Sequence, residues 1–213
     1  MKSPFHNSVQ AVVFDYGGVL CHPPAASEID HLALRFGLPR EKFWRMYGRL
    51  RGPYDRGAIG AGEYWRTMAQ CAGVLFSESE FKALHARDLA MWSGYNTSMI
   101  SFAAELRQSG IKTGILSNML ADMLEKLRAE AGWLSLFDVQ VYSCELGLVK
   151  PEEAIYARLV EELGVEASQT LFVDDIAANV DAARRAGLQA VVFESELQLR
   201  NHLSESLPSL LPS

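Results

Sequence analysis

The sequence predicts an α/β fold: a parallel sheet covered by helices on both faces, with a helical insert after the first strand. Three observations predict it. Short apolar β-forming runs recur along the chain, at 10–14, 111–116, 139–143, 170–173 and 189–193. Helical patterns separate several of them, the alternation that builds a parallel sheet. Residues 22 to about 95 break this rhythm with helices and no strand between them.

The first run, Gln10 to Phe14, ends abruptly at Asp15-Tyr16-Gly17-Gly18, which reads as a buried strand followed by a tight loop. Pro23-Pro24 then breaks the chain. In the insert, Ile29, Leu32, Ala33 and Phe36 make one apolar stripe, and Phe43, Trp44, Tyr47 and Leu50 another. Ser77 and Glu80 have capping-box spacing ahead of Phe81, Leu84 and Leu89. Tyr156, Leu159, Val160 and Leu163 follow helix spacing up to Gly164, a C-terminal stop. Ala178 to Ala186 repeats this, with Arg184 and Arg185 in the last turn and Gly187 after it. The tail from Glu196 reads as a short helix and a Pro-containing end. The expected division is 1–21 with 96–213 as the core and 22–95 as a lid or an extension of the core.

Composition narrows the function classes. The chain has 213 residues, 49% of them hydrophobic, enough for a full core. Net charge is -6, and no Lys/Arg block stands out, which argues against nucleic acid. No run is long and apolar enough to span a bilayer, and Met1 to Gln10 lacks the layout of a signal peptide. Three scattered cysteines, Cys21, Cys71 and Cys144, offer neither a disulfide framework nor zinc spacing. The expectation is a cytoplasmic protein with reduced thiols, monomeric or a homodimer.

Four polar features lie just after, or a few residues beyond, apolar runs: Asp15, Ser117-Asn118, Lys150-Pro151 and Asp174-Asp175. Ligands of open parallel sheets bind outside the carboxyl ends of the strands, so all four can converge on one edge. Carboxylates suit a hard cation such as Mg²⁺. A lysine and a hydroxyl suit phosphate oxygens, and one carboxylate can act as a nucleophile. Singly, each piece also fits a helix cap, a turn or a helix entry.

In this order the four pieces resemble the motifs of the haloacid dehalogenase-like hydrolase superfamily. Phe14-Asp15-Tyr16-Gly17-Gly18-Val19-Leu20 looks like its first motif and Leu116-Ser117-Asn118 its second. Lys150-Pro151 looks like the third and Phe172-Val173-Asp174-Asp175 the fourth. The insert occupies the position of the family's helical C1 cap on a Rossmann-like core. Within it, Asp55-Arg56-Gly57 with Glu63-Tyr64-Trp65 is similar to a segment of the subgroup that includes bacterial glucose-1-phosphate phosphatases and the phosphatase domain of soluble epoxide hydrolase.

The resemblance implies a Mg²⁺-dependent phosphatase acting on a small phosphorylated metabolite, by analogy a sugar phosphate. It makes Asp15, Ser117 and Lys150 catalytic, with Ser117, Asn118 and Lys150 holding phosphate. It makes Asp15, the Gly17 carbonyl, Asp174 and Asp175 the metal site, Asp175 being the main acidic ligand of the last motif, and gives Asn179 the orienting of that loop.

One position departs from the pattern. Gly17 stands where phosphatases of the superfamily usually carry a second Asp, a general acid–base that typically contributes about 10²–10⁴-fold. His22, at the insert's edge, reads first as a hinge residue with no chemistry, with a substitute proton donor as the alternative. Two further readings remain open: a metal-free 2-haloacid dehalogenase, against which the Asp174-Asp175 pair argues, and a weakly active member that binds a phosphorylated ligand. A signalling receiver domain fits less well, because its acidic pair comes first in the chain. In the insert, Tyr47, Tyr54, Arg56 and Trp65 can face substrate or pack helices, and packing is expected for Tyr47 and Trp65.

Overall fold

The structure is a computed structural model, and it describes residues 9–204. The expected alternation is present. Five parallel strands form one sheet in the order β3-β2-β1-β4-β5: β1 Ala11–Phe14, β2 Lys112–Ser117, β3 Val139–Tyr142, β4 Thr170–Asp174 and β5 Gln189–Val192. Each lies within two residues of its apolar run. The strand expected at 139–143 stops one residue early, because Ser143 opens the one-turn helix α7 (Ser143–Leu146).

Period-two alternation sends β1 side chains to both faces. Val12 and Phe14 join one core, with α5 (Thr97–Gln108) and α6 (Ala121–Glu130) packed over it through Phe102, Leu106, Leu124 and Leu127. Ala11 and Val13 join the other, covered by α8 (Glu153–Leu163) and α9 (Ala177–Arg185) through Ile155, Leu159, Val180 and Ala183. Gly164 caps α8 in the left-handed conformation, the stop its sequence called for. α10 (Glu196–Ser204) closes the described chain; residues 205–213, the expected Pro-containing end, lie outside it. No helix among the described residues is long and apolar enough to cross a membrane.

Between β1 and α5 stand four helices: α1 Ala26–Arg35, α2 Arg40–Asp55, α3 Ala61–Ala72 and α4 Glu78–Met91. They enclose aromatic residues, including the fully buried Phe36, Phe43, Tyr64 and Trp65. Burying each such ring contributes about 1.5–3 kcal/mol to holding the four helices together. The capping box at the start of α4 is formed: the Ser77 backbone N–H donates to Glu80 Oε2 at 2.8 Å, and the Glu80 N–H donates to Ser77 Oγ at 3.4 Å. Trp65 packs as expected, whereas Tyr47 both packs and lines the cavity described below.

Candidate active site

The order in which strands are added reverses between β1 and β4, the switch point at which open α/β sheets bind ligands. Phe14 pairs with Val173 in register, so Asp15 and Asp174 stand side by side at the carboxyl edge. On the other flank Phe14 pairs with Ile115, which brings Ser117 to the same edge. The loop after β3 adds Lys150. Six of the seven residues expected at the site line one cavity of about 350 Å³; the seventh, Asp174, is buried against Lys150.

Lys150 organises the floor. Its Nζ lies 2.9 Å from Asp15 Oδ1 and 2.6 Å from Asp174 Oδ2. Asn118 holds the lysine's backbone from both sides: its Nδ2 donates to the Lys150 carbonyl at 3.0 Å, and the Lys150 N–H donates to its Oδ1 at 2.8 Å. The Asn118 side chain therefore positions Lys150, leaving its backbone for a ligand. Asp174 accepts from Lys150, from Asn179 Nδ2 at 3.1 Å to each oxygen, and from the Ile176 N–H at 2.8 Å. Asn179 thus ties α9 to the loop. Ser117 is 2% exposed, its residue at the cavity wall.

Asp175 is exposed beside this buried group. Gly18 makes room for it: φ is +76°, and a Cβ there would come within 2.3 Å of Asp175 Oδ2. Asp15, Asp174 and Asp175 each present an oxygen, all within 4.8 Å of one another. Burial pushes the Asp15 carboxyl up to about 7, against the pull of Lys150 and with Asp174 adding to the rise. Burial also raises Asp175, reinforced by Asp174. Burial works against the charge on Lys150, but Asp15 and Asp174 outweigh it and raise its pKa. Three carboxylates against one ammonium leave the floor short of positive charge, and hard oxygen donors in this arrangement fit a divalent cation.

The insert supplies the facing wall, which the sequence reading did not assign. Arg51 Nε pairs with Asp55 Oδ1 at 2.9 Å, and its Nη1 with Asp88 Oδ2 at 3.1 Å. The Tyr47 hydroxyl donates to Asp88 Oδ1 at 2.6 Å and accepts from Trp92 Nε1 at 3.1 Å. Trp44 stacks on Tyr47 with centroids 4.8 Å apart and planes 7° from parallel. The one available signal was the four-residue spacing of Arg51 and Asp55, which puts both on one helix face; Asp88 had none.

His22 stands apart from this site, as the hinge reading has it. It lines a separate hollow with Pro23, Glu28 and Arg87, away from the cavity of Asp15. His22 is exposed beside the Pro23-Pro24 break, and its backbone N–H donates to the Gly94 carbonyl at 2.8 Å. Tyr54 and Arg56 also face elsewhere, Tyr54 toward His85 and Arg56 toward Glu152.

The chain is similar to several known proteins. The chain is 30% identical to phosphatase MT3486 of Mycobacterium tuberculosis, with 95% of both covered. It is 27% identical to rat bifunctional epoxide hydrolase 2, covering 96% of this chain but only 40% of that protein. A HAD family enzyme of Bacteroides thetaiotaomicron, solved with magnesium and inorganic phosphate, superposes with a TM-score of 0.69 at 19% identity, over 90% of this chain and 98% of that one. L-2-haloacid dehalogenase of Xanthobacter autotrophicus shares the fold at a TM-score of 0.66 and 24% identity, over 96% of this chain and 84% of that one. A family model for haloacid dehalogenase-like hydrolases matches residues 9–187, and with the four strand-end motifs gathered at one edge, the chain belongs to that family.

Proposed function

We propose that the chain is a Mg²⁺-dependent phosphatase that cleaves a small phosphate monoester through an aspartyl-phosphate on Asp15. The observation that carries this reading is the acidic floor: three carboxylates within reach of one cation, with one lysine between two of them. Asp15, Asp175 and the Gly17 carbonyl would hold the ion, with Asp174 beside them. Bound there, Mg²⁺ supplies charge that offsets the phosphate oxygens and keeps Asp15 ionised.

The chain's own groups do the rest. Asp15 attacks phosphorus in line. Lys150 offsets the anionic charge of nucleophile and phosphoryl group as they approach. The Ser117 hydroxyl and the Asn118 backbone N–H hold the transferring oxygens. The helices α1–α4 act as the cap over the alcohol half of the substrate. Because the dehalogenase reading needs no cation, the acidic floor disfavours it.

A cavity of about 350 Å³ limits the alcohol to a small molecule. The wall combines the aromatic faces of Trp44 and Trp92 with the polar groups of Asp55 and Asp88, a combination that suits a sugar. Leu89, Leu120 and Met123 favour a second reading, the phosphate of an apolar alcohol. A Mg²⁺-dependent screen of phosphorylated metabolites, with chloroacetate alongside, tests the proposal. Phosphate release should vanish with EDTA and fall by about 10⁴-fold or more in Asp15→Asn. Equal activity of Asp15→Asn and wild type, or activity indifferent to EDTA, would sink it.

A further inference from the structure

The phosphatase reading leaves the departing alcohol without a proton donor at Gly17, and the space there is taken. A Cβ on Gly17 would lie 3.1 Å from Trp92 Cζ3. The indole is fixed by its hydrogen bond to Tyr47 and by Trp44, whose ring centroid is 6.4 Å away. A donor must come from elsewhere around the cavity. In-line displacement sets the leaving oxygen on the far side of phosphorus from Asp15, toward the wall built by the insert.

That wall narrows to one group. Arg51 does not give up its proton. Burial drives the Tyr47 hydroxyl well above its ordinary pKa, and its hydrogen is committed to Asp88. Asp88 has both oxygens engaged, by Tyr47 and Arg51. Asp55 accepts from Arg51 through Oδ1, and among the described residues Oδ2 has no hydrogen-bond donor. Asp55 is 8% exposed and lines the same cavity as Asp15 and Lys150.

Its place is set by contacts between insert and core. Ser143 Oγ donates to the Asp55 carbonyl at 2.6 Å and accepts the Met119 N–H at 2.8 Å, tying the end of α2 to the loop after β2. Gly57 follows with φ +72°, and a Cβ there would lie 3.1 Å from the Cys144 carbonyl oxygen, so this turn rests against α7, which precedes Lys150.

The geometry points to Asp55 as the general acid–base of the phosphoryl transfer, standing in for the carboxyl absent at Gly17. This assignment rests on the phosphatase reading above. As Asp15 bonds to phosphorus, the bond to the leaving oxygen breaks. Its electron pair stays on that oxygen, which takes the Asp55 proton and departs as the alcohol. In the second half, water bonds to phosphorus and passes a proton to the Asp55 carboxylate. The bond to Asp15 then breaks, returning the electron pair to its carboxylate, and Asp55 ends protonated as it began.

The surroundings of Asp55 fit the role. Burial raises its pKa above the ordinary carboxylate range; Arg51 on the same helix and Lys150 from the core oppose the rise, and Asp88 on α4 adds to it. Tyr64 on α3 also faces the group and stays neutral.

The test measures kcat/KM with 4-nitrophenyl phosphate and with the best alkyl phosphate from the screen, across pH. Asp55→Asn should lose about 10²–10³-fold on the alkyl ester, less than about 10-fold on the aryl ester, and the alkaline limb of the alkyl profile. Asp55→Glu should recover part of the alkyl rate. A loss equal on both esters, or none, overturns the assignment. If Asp55→Asn does not fold, wild type decides on a series of aryl phosphates: a shallow dependence on phenol acidity supports a working acid, and a steep one overturns it. A wild type that cleaves no phosphate ester fails the phosphatase reading and this assignment with it. A wild type that is active, inactivated by Asp15→Asn and uniform in its response to Asp55→Asn, fails the assignment alone.

Discussion

The floor and the wall of the cavity solve the same electrostatic problem differently. Each surrounds one cation with carboxylates: Lys150 with Asp15 and Asp174 below, Arg51 with Asp55 and Asp88 above. The wall is nearly complete by itself. Arg51 presents a planar fork to its two partners, Tyr47 adds a hydrogen bond, and burial raises the Asp55 carboxyl above its ordinary range. The floor cannot balance, because Asp175 adds a third carboxylate and Lys150 supplies only one charge. A region that must recruit positive charge from outside serves chemistry on an anion. A region whose charges are matched from within holds the shape against which the alcohol is recognised, with Asp55 placed to exchange its proton.

Removing each cation separates the two most sharply. Lys150→Met leaves Asp15 and Asp174 unpaired, and Arg51→Met leaves Asp55 and Asp88. Lys150 and Asp88 have side chains only 1% exposed, so either change should cost about 3–5 kcal/mol in urea unfolding. Millimolar Mg²⁺ should restore part of the loss in Lys150→Met and none in Arg51→Met. Equal recovery would mean that the ion does not choose the floor.

The next effect is the stabilisation of the intact protein by the ion. At a concentration about 100-fold above Kd, Mg²⁺ should add about 2.7 kcal/mol to unfolding free energy. A thermal-melt titration measures this. Asp175→Asn removes an exposed carboxylate with no lysine attached, so the unliganded stability should hardly change while the Mg²⁺ response falls. A wild-type response retained in Asp175→Asn would remove that residue from the site.

The floor was legible in the sequence and the wall was not, for a physical reason. Asp15, Ser117 and Asp174 stand at strand ends and Lys150 in the connection beyond β3, and a parallel sheet delivers all its strand ends to one edge whatever the helices do. The same regularity made the five strands readable to within two residues. Asp55, Asp88 and Trp92 come from helix ends in the insert, and their meeting depends on how four helices pack, which periodicity does not encode. Arg51 and Asp55 announced a shared helix face but not what it looks toward. His22 lies close to Asp15 along the chain yet lines a different hollow, which chain distance alone does not decide. Gly17 was read correctly as a missing side chain, while the indole that fills its place lies far along the chain at Trp92.

The smallest effect is expected where the two regions meet at the surface. Arg56 Nη2 lies 2.6 Å from Glu152 Oε1, with side chains 34% and 40% exposed. Water screens such a pair, so Arg56→Gln should cost less than about 1 kcal/mol. The hydrogen bond from Arg56 is the main cause that holds the Glu152 carboxyl below its ordinary pKa, with the Val149 N–H contributing. A carboxyl depressed in the folded state stabilises above its unfolded pKa of about 4.3, and loses that contribution as pH falls through the folded value. The difference between wild type and Arg56→Gln should therefore be present at pH 7, shrink on acidification below that range, and shrink again in high salt. Urea midpoints at two pH values and two salt concentrations measure it. A cost above about 2 kcal/mol at pH 7 would make this contact a clamp that couples wall to floor. The small cost expected leaves the buried link through Ser143 as the main tie that sets Asp55 against the core, and leaves the rim free to part when substrate enters.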